Sequence, residues 1–199
     1  MIRDELVLGF DTSAAHCAAA LLLNDKLLGV ISEDMVKGQA ETLGPMVLNL
    51  LETNQVNIQD IKRIGVGTGP GNFTGIRISV SFARGLGLSL QIPVIGVDSF
   101  EATYLGHDGR VIVTVPAPRN EVYFQAFPRK KVDPQIALLD EVSKCGTTVI
   151  ERCTARGLVE NITRLAAMAD PEGLKPAAPL YIKPADATPS RDTKPKMLP

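Results

Sequence analysis

The sequence predicts an α/β protein built in two parts, and three observations lead to this prediction. Short apolar runs of strand length alternate with longer runs of helical periodicity over residues 1–106. Five glycines lie between Ile64 and Ile76, where one such strand meets the helix that follows it. From Arg110 onward β-branched and aromatic runs dominate, which indicates a second part that is rich in strands.

The first part is predicted to run β-β-β-α-β-α-β-α. Its opening strand ends at Asp11-Thr12-Ser13, three residues that favour turns, so they are expected in the first hairpin loop. The N-cap of the second helix is predicted at Asn72 or Thr74. The predicted strands are Leu6–Phe10, His16–Leu23, Lys26–Asp34, Asp60–Gly67 and Pro93–Val97, and the predicted helices are Gln39–Thr53, Thr74–Leu90 and Asp98–Leu105.

The second part is predicted to begin with a hairpin of two strands, Val111–Val115 and Val122–Phe127. A further strand at Ile136–Val142 and a helix at Leu158–Ala169 follow from the same patterns. We therefore predict an N-terminal subdomain at residues 1–106 and a smaller C-terminal subdomain at 107–183. Residues 184–199 are rich in proline and polar side chains, which is typical of a flexible tail.

Composition narrows the function. The net charge is −1, so the chain lacks the basic field of a protein that binds nucleic acid by itself, and any nucleic acid is expected to be held by a partner. The three cysteines include no Cys-x-x-Cys pair, and the first ten residues are a poor signal peptide, which together favour a reduced, cytoplasmic protein without a membrane span. The two histidines, His16 and His107, are too far apart to predict a zinc or iron site.

The glycine-rich junction admits two interpretations. A strand, a glycine turn and a helix N-terminus can together bind an anion, since unpaired N–H groups converge there. The junction has neither the Walker A spacing nor the dinucleotide fingerprint, however. The alternative is a tight turn that lets the helix pack closely on its strand.

The two long helices carry wider apolar arcs than one sheet needs to cover. Gly75, Ser79, Ala83 and Gly87 also recur at every fourth position, a row of small residues that allows close approach of another backbone. Either each helix packs on its own sheet and on the other helix, or the helices present a surface to another subunit. The residues predicted for such a partner interface are Leu43, Met46, Val47, Leu50, Gly75, Ile76, Ser79, Val80, Ala83 and Gly87.

Five short motifs stand out along the chain: Asp11-Thr12-Ser13, Ala40-Glu-Thr-Leu-Gly-Pro45, Gly67-x-Gly-Pro-Gly-Asn-Phe-Thr-Gly-Ile-Arg77, Ile92-Pro-Val-Ile-Gly-Val97 and Glu121-Val-Tyr123. Together they resemble the TsaB (YeaZ) family. The resemblance runs from about Leu6 to Tyr123, and Leu180-Tyr-Ile182 is similar to the closing strand of the family. One departure is Pro116-Ala-Pro-Arg119, where the family commonly has Asp-Ala-Arg-Arg.

The resemblance implies an actin-like/Hsp70-type (ASKHA, RNase H-like) fold with two subdomains. It also implies a non-catalytic scaffold or activating subunit of the complex that forms threonylcarbamoyladenosine at position 37 of tRNA. The implied partners are the catalytic paralogue TsaD, which would stack on the two helices as a four-helix bundle, and the ATPase TsaE. Where TsaD carries a His-x-x-x-His metal pair, this chain has Gly38–Pro45 without histidine, so no metal is expected.

Two rival functions stay open on the sequence alone. One is an actin-like ATPase or phosphotransferase, which lacks a phosphate-loop lysine here. The other is a nucleotide sensor that shares ADP or ATP with a partner at the interface. The candidate nucleotide-proximal residues are Asp11, Thr12, Ser13, Gly69, Gly71 and Arg77. We also expect the two helices to pair two copies of this chain when the partner is absent.

Overall fold

The computed structural model describes residues 5–128, 133–170, 172–173 and 175–182. The predicted tail at 184–199 lies outside these residues. The strands are β1 Leu6–Asp11, β2 His16–Leu23, β3 Lys26–Asp34, β4 Ile61–Gly67, β5 Val94–Val97, β6 Val111–Pro116, β7 Glu121–Phe127, β8 Gln135–Leu138 and β9 Thr148–Glu151. The α-helices are α1 Gln39–Thr53, α2 Phe73–Leu90, α3 Ser99–Tyr104, α4 Leu139–Ser143 and α5 Ala155–Met168.

The first sheet has the strand order β3-β2-β1-β4-β5. Strands β1, β2 and β3 form an antiparallel meander, and β1, β4 and β5 run parallel. Because side chains alternate along β1, Leu8 and Phe10 join the core beneath α1 and α2, whereas Val7 joins the core beneath α5. The sheet is therefore covered by two helices on one face and by one on the other.

The second sheet has the order β8-β7-β6-β9 and repeats the first four strands of the first sheet. Its first three strands in sequence are antiparallel neighbours, and β9 returns parallel to β6, as β4 does to β1. Two sheets that share this strand order, the first of them covered by helices, form the actin-like α/β fold. The predicted fold class is confirmed.

Three predictions for the second part need correction. The Ile136–Val142 run is a strand only to Leu138, because Asp140 and Glu141 supply the acidic first turn that favours a helix. The short strand β9 was not predicted, and Leu180-Tyr-Ile182 is not a strand, although the Leu180 N–H donates to the Thr68 carbonyl (2.8 Å).

The predicted subdomain boundary separates the two sheets, but helix α5 crosses back over it. Leu158, Ile162 and Ala166 of α5 are fully buried in one cluster with Val7 of β1 and Ile95 of β5. Residues 155–168, which the sequence places in the C-terminal subdomain, therefore cover the first sheet. Within the described part of the chain, no helix has the length and apolar character needed to cross a bilayer.

Candidate functional site: the hairpin, the glycine junction and two outward-facing helices

The tip of the β1–β2 hairpin is fastened to the first turn of α2. Asn72 is the N-cap, and its side chain accepts a hydrogen bond from the Gly75 N–H (2.8 Å). The Thr12 hydroxyl donates to the Gly75 carbonyl (2.6 Å), and the Asn72 N–H donates to the Ser13 carbonyl (2.6 Å). The hairpin therefore fixes where α2 begins and in which direction it leaves the sheet.

The junction glycines are required by this close approach. A Cβ atom at Gly75 would overlap the Thr12 carbonyl oxygen, and one at Gly71 would overlap the Ser13 carbonyl oxygen. A Cβ at Gly67 would overlap the Asp11 carboxylate. Of the two interpretations of the junction, the close-packing turn accounts for these three glycines directly.

Asp11 is fully buried and organises the hairpin from within. Its Oδ2 accepts hydrogen bonds from the N–H (3.1 Å) and the hydroxyl (2.9 Å) of Ser13. The same oxygen lies 2.6 Å from Nε2 of His16, which is also buried. The carboxylate thus holds together the residues on either side of the hairpin turn.

The structure brings most of the predicted nucleotide-proximal residues together, but most of their polar groups are hydrogen-bonded within the chain, and the buried Asp11 Oδ1 is the exception. Asp11, Thr12 and Ser13 are buried, and the Gly69 carbonyl accepts from the Ser99 N–H (2.8 Å). Arg77 lies apart from them on the surface. Its guanidinium stacks on the Phe73 ring (3.9 Å to the centroid), and its Nε donates to the Tyr181 hydroxyl (2.9 Å). This arrangement gives no support to a phosphate cradle made by these residues.

The predicted partner interface requires a correction in its residues. The ten residues are buried within the chain, where they pack α1 and α2 onto the sheet: Leu43, Met46, Val47, Leu50, Gly75, Ile76, Ser79, Val80, Ala83 and Gly87. The row of small residues points inward, since the Ser79 hydroxyl donates to the Gly67 carbonyl (3.3 Å) and a Cβ at Gly87 would overlap Val94. These residues cannot face a partner while the chain keeps this fold.

The opposite sides of the same helices form what we call the outer helical surface. It comprises Ala40, Gly44 and Leu48 of α1 with Thr74, Ile78, Ser81 and Gly85 of α2. Leu48 is 53% exposed, Ile78 is half-buried, and a Cβ at Gly44 or Gly85 would meet no atom within 4 Å. A groove of about 310 Å³ runs between the N-termini of the two helices. The seven named residues are uncharged, although Lys37 and Glu41 also line the groove, and Gly44 and Gly85 leave room for other helices to approach closely.

The interface predicted from the sequence does not include the residues of this surface, although the sequence holds a signal for them. On a helical wheel of α2, Ser81 and Gly85 share the narrower arc with Arg77, Arg84 and Leu88, and the much wider apolar arc outweighs it in the sequence pattern. The wide arc is now explained by the sheet on one side and by α1 on another. Among the described residues, no three His, Cys, Asp or Glu side chains are grouped to hold a metal ion.

The three thiols differ sharply in environment, which predicts a labelling order. Burial, with lesser contributions from Glu33 and Asp11, raises the pKa of Cys17 from 9.0 to about 12. Burial also raises the pKa of Cys153, whose Sγ lies 3.6 Å from the Thr103 hydroxyl. Cys145 is exposed. At about pH 8 we expect a maleimide to modify Cys145 first, Cys153 slowly and Cys17 only on unfolding. Peptide mass spectrometry measures the order, and early modification of Cys17 would contradict its packing.

Comparison with known proteins places this geometry in a family. The family model for TsaD, tRNA N6-adenosine threonylcarbamoyltransferase, matches residues 18–177. "tRNA threonylcarbamoyladenosine biosynthesis protein TsaB" of Escherichia coli K12 is 33% identical over 128 residues, covering 62% of this chain and 55% of that protein. TsaB of Bacillus subtilis is 34% identical over 127 residues, covering 62% and 56%. The matched region thus spans little more than half the length of these relatives.

Solved structures show the same fold. "YeaZ from Pseudomonas aeruginosa" superposes with a TM-score of 0.69 at 23% identity, covering 89% of this chain and 99% of that one. A second Pseudomonas aeruginosa structure, described as similar to peptidase YEAZ, gives a TM-score of 0.71 and covers 90% and 100%. The motifs, the matched family model and this fold agree. The chain therefore belongs to the TsaD family and, within it, to the TsaB (YeaZ) group.

Proposed function

We propose that this chain is a non-catalytic accessory subunit in the formation of threonylcarbamoyladenosine at position 37 of tRNA. It docks onto a TsaD-like catalytic paralogue and holds that paralogue in its active form. The reaction is suggested by the names of the TsaB relatives. The docking role is carried by one observation, the uncovered and uncharged outer helical surface.

The chemistry of that surface favours a pair of helices as its occupant. Gly44 and Gly85 leave open space beside the helix axes, so a partner helix can approach the backbone closely. The apolar side chains of Leu48 and Ile78 are in contact with water in the isolated chain, and a partner helix would cover them. A partner with the same pair of helices would complete a four-helix layer, and a second copy of this chain fits the same description.

Catalysis is assigned to the partner because most polar groups of the hairpin are engaged in holding it. Asp11 Oδ2 accepts from Ser13 and pairs with His16, and the Thr12 hydroxyl donates to the Gly75 carbonyl, which leaves only the buried Asp11 Oδ1 without a partner among these groups. We place any ADP or ATP of the assembly at the boundary with the partner, and the ATPase activity on a TsaE-like protein. With a net charge of −1, this chain meets tRNA only through the complex.

The test is a double charge substitution, Leu48→Glu with Gly85→Glu. Burying two carboxylates against an apolar partner surface costs several kcal/mol, so co-purification with the TsaD-like protein of the same organism should fall at least ~100-fold. Threonylcarbamoyladenosine formation in the reconstituted system, measured by mass spectrometry of digested tRNA, should fall with it. The isolated chain should form none.

The matched control is Lys62→Glu, since Lys62 is exposed on β4, away from the outer helical surface. It should co-purify as the unmodified chain does. Undiminished co-purification of the double variant would show that the surface is wrongly assigned. Formation of the modified nucleoside by the isolated chain would show that the non-catalytic role is wrong, and it would leave the docking result standing.

A further inference from the structure

A second groove lies along α2 on the flank away from α1. It has a volume of about 900 Å³ and runs between the last turns of α2, the residues that lead into β5, and residues 175–177. Helix α1 packs on β2, whereas this groove borders β5, at the opposite edge of the sheet. It is therefore distinct from the gap between the two helix N-termini, although it meets the outer helical surface at Gly85.

The floor and one wall of the groove are apolar. Ile92, Pro93 and Val94, which are half-buried, line the groove together with the buried Ala177. Leu88 stands at the rim with 82% of its surface exposed, although it lies in a well-formed helix. An apolar side chain from another molecule can pack against an exposed leucine beside an apolar groove.

The charges of the groove have one sign. Arg84 and Lys175 line it and are exposed, and no aspartate or glutamate is among the described residues that line it. Among the described residues, neither cation makes an ion pair or a side-chain hydrogen bond. Arg84 also lies before the last turn of α2, so the helix C-terminus does not account for its position.

We infer that this groove is a docking site for an acidic segment of a protein partner. An apolar side chain of that segment packs beside Leu88, and its carboxylates lie against Arg84 and Lys175. Two cations flanking an apolar floor are complementary to that chemistry. Single-stranded RNA fits less well, because the described residues lining the groove include no aromatic ring on which a base could stack. A membrane surface fits less well, because two cations on a chain of net charge −1 provide little attraction to anionic lipid.

The experiment uses the full chain, labelled with nitrogen-15, and a blocked peptide of about ten residues that combines leucine and glutamate. Matched peptides carry glutamine or lysine in place of glutamate. Addition of the acidic peptide should move the amide signals of residues 84–94, and the glutamine and lysine peptides should bind more weakly. Arg84→Glu and Lys175→Glu should each raise the dissociation constant about threefold, and together about tenfold. Lys144→Glu, an exposed charge reversal beside the second sheet, should leave it unchanged.

Several outcomes overturn the inference. Equal binding of the acidic and glutamine peptides would remove the role of the two cations. Absence of shifts at millimolar peptide, or tighter binding of oligouridine or of anionic vesicles, would exclude an acidic protein segment as the occupant. Shifts of the same signals on dilution of the chain alone would assign the groove to a second copy. Since all variants are exposed, their circular dichroism should match that of the unmodified chain.

Discussion

Ala83→Glu is expected to prevent folding. Ala83 is fully buried and lies in the cluster between α2 and the first sheet, together with Val66 and Ile76. A glutamate there must either bury an unpaired carboxylate or push α2 off the sheet. We expect a loss of about 4 kcal/mol or more in the free energy of unfolding, which is comparable to the whole stability of many domains. Circular dichroism and thermal unfolding measure it.

Ser81→Glu is the matched substitution two residues away. Ser81 is exposed on the outer helical surface, so its replacement should change the free energy of unfolding by no more than about 0.5 kcal/mol. Under the proposed function this folded variant should nevertheless bind the partner poorly. A well-folded Ala83→Glu variant would contradict the inward direction of the small-residue row, on which the corrected interface depends.

These two substitutions also show what helical periodicity can and cannot predict. The pattern correctly indicated two helices with more apolar surface than one sheet covers. It did not reveal which side faces the sheet, because the buried row, from Gly75 to Gly87, consists of small residues that suit a partner helix equally well. Only the register of α2 over Gly67 and Val94 decides the direction. That register depends on tertiary packing, which the periodicity of one helix does not reveal.

The hairpin illustrates the same limit at longer range. Turn chemistry predicted a loop at Asp11-Thr12-Ser13, and capping rules predicted a helix start at Asn72 or Thr74, which Asn72 provides. Nothing local predicted that the two would bind each other, because Thr12 and Gly75 are 63 residues apart in sequence. The contact arises because β1 and β4 are parallel neighbours, so that the loops at their carboxyl ends meet at one edge of the sheet. The sequence alone therefore left two interpretations of these glycines open, an anion-binding junction and a close-packing turn.

In the second part, the missed elements are the short ones. β9 has four residues and α4 has five, which is too few for periodicity to separate strand from helix. Helix α5 was recognised, since it is long and strongly amphipathic, but its partner sheet was not. Its apolar stripe fits either sheet. Only the small residues Gly9 and Gly65, on the face of the first sheet against Thr163 and Ala166, leave room for it there.

Gly75→Ala and Gly85→Ala should change the stability in opposite directions. Both glycines lie in α2 with ordinary helical backbone, so helix propensity alone would make either alanine stabilising by about 0.5–1 kcal/mol. Gly85 should show this gain, because open space surrounds it. At Gly75 the new methyl group meets the Thr12 carbonyl, and the Thr12 hydroxyl is bonded to the Gly75 carbonyl, so the hairpin cannot retreat without losing that bond.

We therefore expect Gly75→Ala to lower the free energy of unfolding by about 2–3 kcal/mol, as overpacking of a fixed contact does. Urea unfolding measures both variants, and the midpoint should move while the slope stays constant. Equal gains in the free energy of unfolding at the two positions would mean that the hairpin moves to make room for the methyl group. Close packing would then not explain the glycines of the junction. A loss at Gly75 alone would show that these glycines are retained for the Thr12 contact. That contact sets the direction in which α2, and with it the outer helical surface, leaves the sheet.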